Sequence, residues 1–393
     1  MSALAHSQSP ILSPDRNPLL RFFLKHTFYK QFCAGENATE VNRTITGLKD
    51  IGFKGVILGY AREVVLDEKQ KENLASCGEN EAAEACIRNE IIPWAKGTLE
   101  TVRLTSPTDF VALKFTGAGS QALYDLSQKT GPSKALADSI DSICSLAASK
   151  GVRLLFDAEQ HAVQGGIDTW TLNYMRKYNR KGSEEAVIYG TYQAYLKTTP
   201  SVLASHLAIA RKEGFTLGVK LVRGAYLGSD PRHLIHDTKI DTDNCYDGIA
   251  ESLVRRSYGP ILKPVEGETQ FPSVNAVLAG HNHTSVRKVQ ALRTAQAQNE
   301  EKQTDLVYAQ LQGMADEVSC ELVQAGLVAE GGTTDIPQAY KYLVWGTTGE
   351  CMKYLLRRAQ ENKDAVQRTR EGRNAMAREL VRRCKKMVGL AGP

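Results

Sequence analysis

The chain has 393 residues, 42% of them hydrophobic and 24% charged, an ordinary globular composition with enough length for one large barrel or two modest domains. A net charge of +5 spread over 49 basic and 44 acidic residues is too balanced for a nucleic-acid binder unless the excess clusters. No apolar run reaches the ~18 residues of a membrane span and no signal core with a cleavage site appears.

The eight cysteines, at 33, 77, 86, 144, 245, 320, 351 and 384, show no paired spacing, so neither a disulfide framework nor a zinc site is suggested and a reducing compartment fits. In chain order, residues 1–50 read as a helical arm. Its first 27 positions hold one acid, Asp15, among Ser, Arg and Lys, a composition that a mitochondrial leader or an internal start would equally give. From about residue 50, apolar runs of strand length recur, each followed by a longer stretch of helical period. They are Phe53 to Tyr60, Asp109 to Gly117, Gly151 to Glu159, Ala186 to Tyr195, Thr216 to Tyr226, Ser273 to Asn282, Asp305 to Met314 and Ala339 to Gly346. Runs such as VRLLF, GVKLV and NAVLA are nearly continuous rather than alternating, as expected of parallel strands buried on both faces.

Helical patterns separate the runs, among them 133–151 and 201–214, both ending at Gly before the next strand. The stretch 61–105, with the charged EKQKENLASCGENEAAEA, reads as an insertion or flexible excursion. Strand and helix alternating eight times predict an α/β fold, a (βα)8 barrel over 51–365 with residues 1–50 as the leading arm and 366–393 as a basic C-terminal tail. That tail carries Arg368, Arg370, Arg373, Arg378, Arg382, Arg383, Lys385 and Lys386, either a solvated helix face or a contact for an anionic membrane surface.

In a (βα)8 barrel the chemistry sits at the C-terminal strand ends, and those ends are polar here. Lys114, Asp157, Gln193, Lys220, Arg223, Tyr226, His281, Asn282, Gln310 and Tyr342 all fall there. Each alone has an ordinary structural account, as a helix cap, a snorkelling lysine or a core histidine. Together they describe a ligand site, because buried polar groups without partners are costly. Gly117-Ala-Gly119 loosely matches a dinucleotide fingerprint, but Asp138 falls inside a helical pattern instead of ending a second strand. His281-Asn-His283, joined by Asp157 or His161, could hold a metal in a barrel hydrolase. Past the last strand, Arg357 and Arg358 follow Tyr354 by three and four residues, and Glu361 follows Arg357 by four. Two guanidinium groups on one side of a helix could clamp a carboxylate.

The strings LLFDAEQ, TYQAYLK, KLVRGAYL, QLQGM and YLLRRAQEN together resemble the proline dehydrogenase family in its eukaryotic, mitochondrial form, over roughly residues 28–365. The resemblance implies a distorted TIM-type barrel that holds FAD non-covalently, oxidises proline to 1-pyrroline-5-carboxylate and passes electrons to a membrane quinone. Carried over by motif, Lys114, Asp157, Tyr342, Arg357 and Arg358 would be catalytic, with Leu311 and Tyr354 completing the proline pocket. The flavin would lie against Gln193, Lys220, Val222, Gly224, Ala225, Tyr226, His281, Asn282 and Glu361, with Lys239 near the adenosine end; no metal is implied. One departure is Gly280, before His281, where relatives carry a small hydroxyl residue. Flavin chemistry on 4-hydroxyproline, a metal-dependent barrel hydrolase and a barrel that only binds remain the alternatives.

Overall fold

The computed structural model describes residues 13–64, 74–78, 81–180, 182–329 and 335–365. The chain divides into two units, Met1–Phe32 with Thr347–Pro393, and Cys33–Gly346. In the first, Asn17 caps the helix Pro18–Leu24 by accepting the Leu19 and Leu20 N–H groups at 3.1 Å each, and Pro18 sits where a missing N–H costs nothing. The helix runs on through a π turn, Lys25–Tyr29, to Lys30–Phe32. Leu24, Tyr29 and Phe32 are buried, whereas Leu19, Phe22 and Phe23 face solvent. The helix Thr348–Ala365 belongs to the same unit. The basic tail 366–393 lies outside the described residues.

The second unit carries nine strands: β1 Cys33–Gly35, β2 Gly55–Tyr60, β3 Phe110–Leu113, β4 Arg153–Phe156, β5 Ile188–Gln193, β6 Leu217–Val222, β7 Val274–Ala279, β8 Leu306–Leu311 and β9 Ala339–Trp345. Every pairing is parallel, and β9 pairs with both β2 and β8, so β2 to β9 close into a barrel. Each barrel strand lies inside the run expected for it. The short β1 is an addition. Pairing of β9 with β8 stops at Leu311 opposite Tyr342, and the end of β9 instead meets β1, Cys33 opposite Val344. The barrel is therefore irregular at this corner of its mouth.

The crossover helices include Lys134–Ser149 and Thr199–Glu213, the latter closed by Gly214 in the left-handed region at φ 78°. Within 61–105 the described part from residue 81 onward is helical and not an excursion. From Glu81 to Leu104 it is continuous helix, with Ile91, Trp94, Ala95, Thr98 and Val102 buried at helical spacing, and it supplies the crossover from β2 to β3. Cys77 and Cys86 form a disulfide, against the expectation of free thiols throughout. Nine residues apart on either side of a helix start, they give no sequence signal; the fold brings their Cα atoms to 6.6 Å.

Inside the barrel, Ile57, Phe110, Ala112, Leu155, Tyr189, Val277, Val307, Ala309 and Tyr340 form a buried, largely apolar plug. Side chains alternate faces along a strand, so two-residue steps from these positions reach Lys114, Asp157, Gln193, His281, Leu311 and Tyr342. Polar mouth and apolar floor are one set of inward-facing positions. Gly218, at the β5–β6 contact, has no room for a side chain: a Cβ would lie 2.4 Å from the Ile188 carbonyl oxygen and 2.7 Å from the Tyr189 ring. Gly218→Ala is therefore expected to cost about 1–3 kcal/mol of stability. A thermal midpoint equal to that of the parent chain would contradict this packing.

Candidate functional site

Asp157, buried after β4, is the hub of the barrel mouth. One carboxylate oxygen accepts from Lys220 Nζ of β6 at 2.5 Å; the other accepts from the Tyr342 hydroxyl of β9 at 2.8 Å and from Lys114 Nζ, just after β3, at 3.3 Å. Lys114 also pairs with Glu63, beyond the end of β2, at 3.4 Å. The Lys220 ammonium stands 5.0 Å from the centre of the Tyr342 ring, close enough for a cation–π contact.

Burial pushes the Asp157 carboxyl upward, but Lys220 and Lys114 outweigh it and hold the group below its usual range. Lys220 is pulled down by burial, with Asp157 opposing. Lys114 is also penalised by burial, yet Tyr342, Tyr226, Asp157 and Glu63 overcome this and raise it. Five strand ends thus converge on a charged, desolvated floor. Such an arrangement holds a ligand's polar edge in a fixed orientation, since its own groups are already locked.

A second cluster lies around the ends of β5 to β7. The Gln193 side chain accepts the Ala225 N–H at 3.1 Å and reaches the Glu159 carbonyl at 3.5 Å. Val222 ends β6, Gly224 and Ala225 are exposed, and Tyr226 is buried. Gly224 is obligatory: its φ is 151°, and a Cβ would sit 2.3 Å from the Tyr195 ring. His281 Nε2 accepts the Leu311 N–H at 3.2 Å, which places a neutral imidazole's proton on Nδ1. Asn282 caps the helix His283–Gln298 through the Thr284 and Ser285 N–H groups. Lys239 begins the helix Lys239–Arg255 and is ion-paired with Asp243.

Tyr354, Arg357 and Arg358 lie on the helix Thr348–Ala365 of the other unit. Tyr354 and Arg358 are buried, with the guanidinium 5.1 Å from the tyrosine ring centre. The Glu361 side chain falls outside the described residues.

Two residues beyond the expected set belong to this region. Glu63 and Glu159 are buried acids at strand ends. Arg223, of opposite parity to Val222, turns outward to Asp243 and Ser285, at 2.8 Å each, and lies over the Tyr246 ring. Its Nη1 is buried without a hydrogen-bond partner among the described residues, 3.1 Å from where Gly280 would carry a Cβ. Parity also explains Gln310, which faces Ser319 on the surrounding helices and not the mouth. The metal-site residues do not converge. His283 pairs with Glu321, His161 starts a helix, and Asp157 is saturated by two lysines and a tyrosine. Among the described residues, ligand atoms suited to a metal gather only at Cys77, Cys86 and Glu90, where the two sulfurs are bonded to each other. Gly117 and Gly119 belong to a 3-10 turn and its cap, while Asp138 is paired with Lys134 on the outer face of a helix.

The family model described as proline dehydrogenase matches residues 41–371. The chain belongs to the proline dehydrogenase family. It is 30% identical to the probable mitochondrial proline dehydrogenase of Schizosaccharomyces pombe, covering 92% of this chain and 80% of that one. It is 33% identical over 245 residues to human mitochondrial proline dehydrogenase 1, of which it spans 38%, and 27% identical to the hydroxyproline dehydrogenase of Bos taurus, of which it spans 81%. Among solved structures, proline utilization A from Bdellovibrio bacteriovorus, inactivated by N-propargylglycine, superposes with a TM-score of 0.65 at 19% identity. That match covers 90% of this proline dehydrogenase-family chain and 36% of the larger one, and speaks for the fold.

Proposed function

We propose that this chain oxidises L-proline to 1-pyrroline-5-carboxylate with FAD as the hydride acceptor, in mitochondria. The supporting observation is the Asp157, Lys114, Lys220 and Tyr342 cluster at the barrel mouth of a proline dehydrogenase-family chain. The donor set suits a flavin. Arg223 Nη1, beside Gly280 just past β7, is buried with no hydrogen-bond partner among the described residues, the backbone at Gly224 and Ala225 is exposed, and Lys220 offers positive charge for an electron-rich ring. Gln193, Lys220, Val222, Gly224, Ala225, Tyr226, Lys239, His281, Asn282 and Glu361 are assigned to holding it. When bound, the flavin supplies the two-electron acceptor that no side chain provides.

The chain's own residues then have positioning tasks. Proline loses hydride from the carbon beside a neutral nitrogen, whose lone pair forms the C=N bond as the C–H pair departs. Arg357 and Arg358, by motif position, are assigned to fixing the carboxylate. Lys114 and Asp157 order the floor, and Leu311 and Tyr342 bear on the ring, converting an encounter into a near-attack pose. FAD released on denaturation, together with proline turnover using a soluble artificial acceptor, is the result expected of the purified protein. Absence of flavin after expression in flavin-rich medium would count against the reading.

Relatives named hydroxyproline dehydrogenase keep a second substrate in view. Tyr342 argues for proline, because at the ring edge, where its motif position assigns it, its bulk would crowd an added hydroxyl, and its own hydroxyl already donates to Asp157. An apolar pocket alone rejects an added hydroxyl by only about a hundredfold, so bulk has to decide. Tyr342→Ser should weaken proline use yet narrow or reverse the preference over 4-hydroxyproline. An unchanged ratio of the two efficiencies would show that Tyr342 does not face the ring.

The electron acceptor is proposed to be a quinone at a membrane surface. Leu19, Phe22 and Phe23, 82%, 64% and 62% exposed, form an apolar stripe beside Arg16, Arg21 and Lys25. An anionic bilayer is complementary to both features. Sedimentation with anionic vesicles should fall several-fold in the Leu19, Phe22 and Phe23→Ser triple variant while turnover with a soluble acceptor persists. Equal sedimentation would locate any membrane contact elsewhere.

A further inference from the structure

Glu159 is a buried acid that the proposed reaction does not use. It is 2% exposed, and its carboxyl accepts the Thr116 N–H at 3.1 Å while also hydrogen-bonded to the Thr116 hydroxyl. Thr116 is a joint. Its oxygen accepts the Val64 N–H at 3.3 Å, so the carboxyl, through one hydroxyl, ties the chain after β3 to the chain after β2. Both tied segments carry a floor charge, Lys114 two residues before Thr116 and Glu63 beside Val64, and these two meet at 3.4 Å. The Glu159 backbone is itself fixed, its N–H on the Gln164 side chain at 2.9 Å and its carbonyl near Gln193.

We propose that Glu159 is a positioning residue for the proline site, its carboxyl fixing the Lys114 and Glu63 segments through Thr116 and carrying the proton that balances the charge of the floor. This rests on reading the barrel mouth as that site. Among the described residues of the floor, with every group ionised, Glu63, Asp157 and Glu159 oppose Lys114 and Lys220. One proton on Glu159 makes the count even. Burial raises this carboxyl to about 7, with Lys114 and the Thr116 bonds opposing and Glu63 adding to the rise. The titratable groups acting on it are Lys114 after β3 and Glu63 after β2; the Asp157–Lys220 pair adjoins through Lys114.

The two states differ in the direction of one bond. Ionised, the carboxylate accepts from the Thr116 hydroxyl; protonated, it donates to that oxygen and the hydroxyl hydrogen is released to turn elsewhere. Glutamine reproduces the protonated pattern, its carbonyl accepting the Thr116 N–H and its amide donating to the Thr116 oxygen. It does so at every pH. An ionised Glu159 adds uncompensated negative charge beside a site that must receive an anionic substrate, so it weakens proline binding and leaves the chemical step alone.

The test compares parent, Glu159→Gln and Glu159→Ala flavoenzymes from pH 6 to 9. In the parent the KM for proline should rise above pH 7 by at least about threefold relative to Glu159→Gln, with kcat following the same profile in both. Glu159→Ala should raise KM at all pH values with flavin content intact, and Thr116→Ser, which keeps the hydroxyl, should behave as the parent. Superimposed parent and Glu159→Gln profiles overturn the proposal, as does an inactive, flavin-replete Glu159→Gln. Infrared difference spectra between pH 6 and 8.5 give a readout independent of proline. A buried protonated-carboxyl band that titrates in the parent and is missing from Glu159→Gln upholds the proton assignment even if proline is not the substrate; its absence from the parent overturns it.

Discussion

Asp157→Ala is expected to be the most damaging single substitution in the barrel. It removes the one acceptor shared by Lys220, Lys114 and the Tyr342 hydroxyl, all at a desolvated site. Deleting one partner of a buried ion pair strands the other, typically at about 3–5 kcal/mol, and here a second cation loses an interaction as well. Proline oxidation should fall by at least about a hundredfold in whatever protein folds, because the floor loses its preorganised electrostatics. Asp157→Asn preserves volume and separates charge from packing. The sign of the pH dependence follows from the direction of the shift. The folded-state carboxyl lies below its ordinary value of 3.8, so Asp157 contributes stability that is present above that pH and lost as pH falls through the folded value. The stability gap between parent and Asp157→Asn should therefore be full at neutral pH and shrink in acid. A gap that instead grows on acidification would mean that the lysines do not control this carboxyl.

Arg358→Met is expected to leave fold and flavin content intact while proline use collapses. Arg358 is buried and lies over Tyr354, so the unbranched methionine keeps much of the packing and removes only the charge. Truncating one member of a desolvated charge pair costs about 2–5 kcal/mol, equivalent to at least tenfold and up to about a thousandfold in kcat/KM. Loss confined to kcat/KM, with normal thermal stability, marks a substrate contact. Near-normal efficiency would show that the arginine pair serves the helix and not proline.

These expectations draw on two kinds of sequence signal of unequal strength. The barrel strands were legible because parallel strands covered on both faces are written as unbroken apolar runs, and VRLLF or GVKLV resists any other reading. Strand β1 was not, since three residues, Cys33–Gly35, are too few to show a period. The helix Ile92–Leu104 was hidden behind the charged stretch that precedes it, although Trp94, Thr98 and Val102 keep helical spacing. Position at a strand end was a good guide to the mouth, but an incomplete one. Parity sorts what position cannot: Asp157 and Tyr342 face inward, whereas Gln310 and Arg223, equally near strand ends, turn to the surrounding helices. Glu63 and Glu159 escaped notice because a single acid after a strand looks like a helix cap. Only the fold reveals that they close around Lys114 and Thr116.

The most direct measurement of the central claim is anaerobic mixing of the purified protein with L-proline while the visible spectrum is followed. A yellow, FAD-containing solution that bleaches with proline, bleaches far more slowly with 4-hydroxyproline, and yields one equivalent of 1-pyrroline-5-carboxylate per flavin is the predicted result. A flavin that stays oxidised in excess proline, or a colourless protein that takes up no FAD, would contradict it.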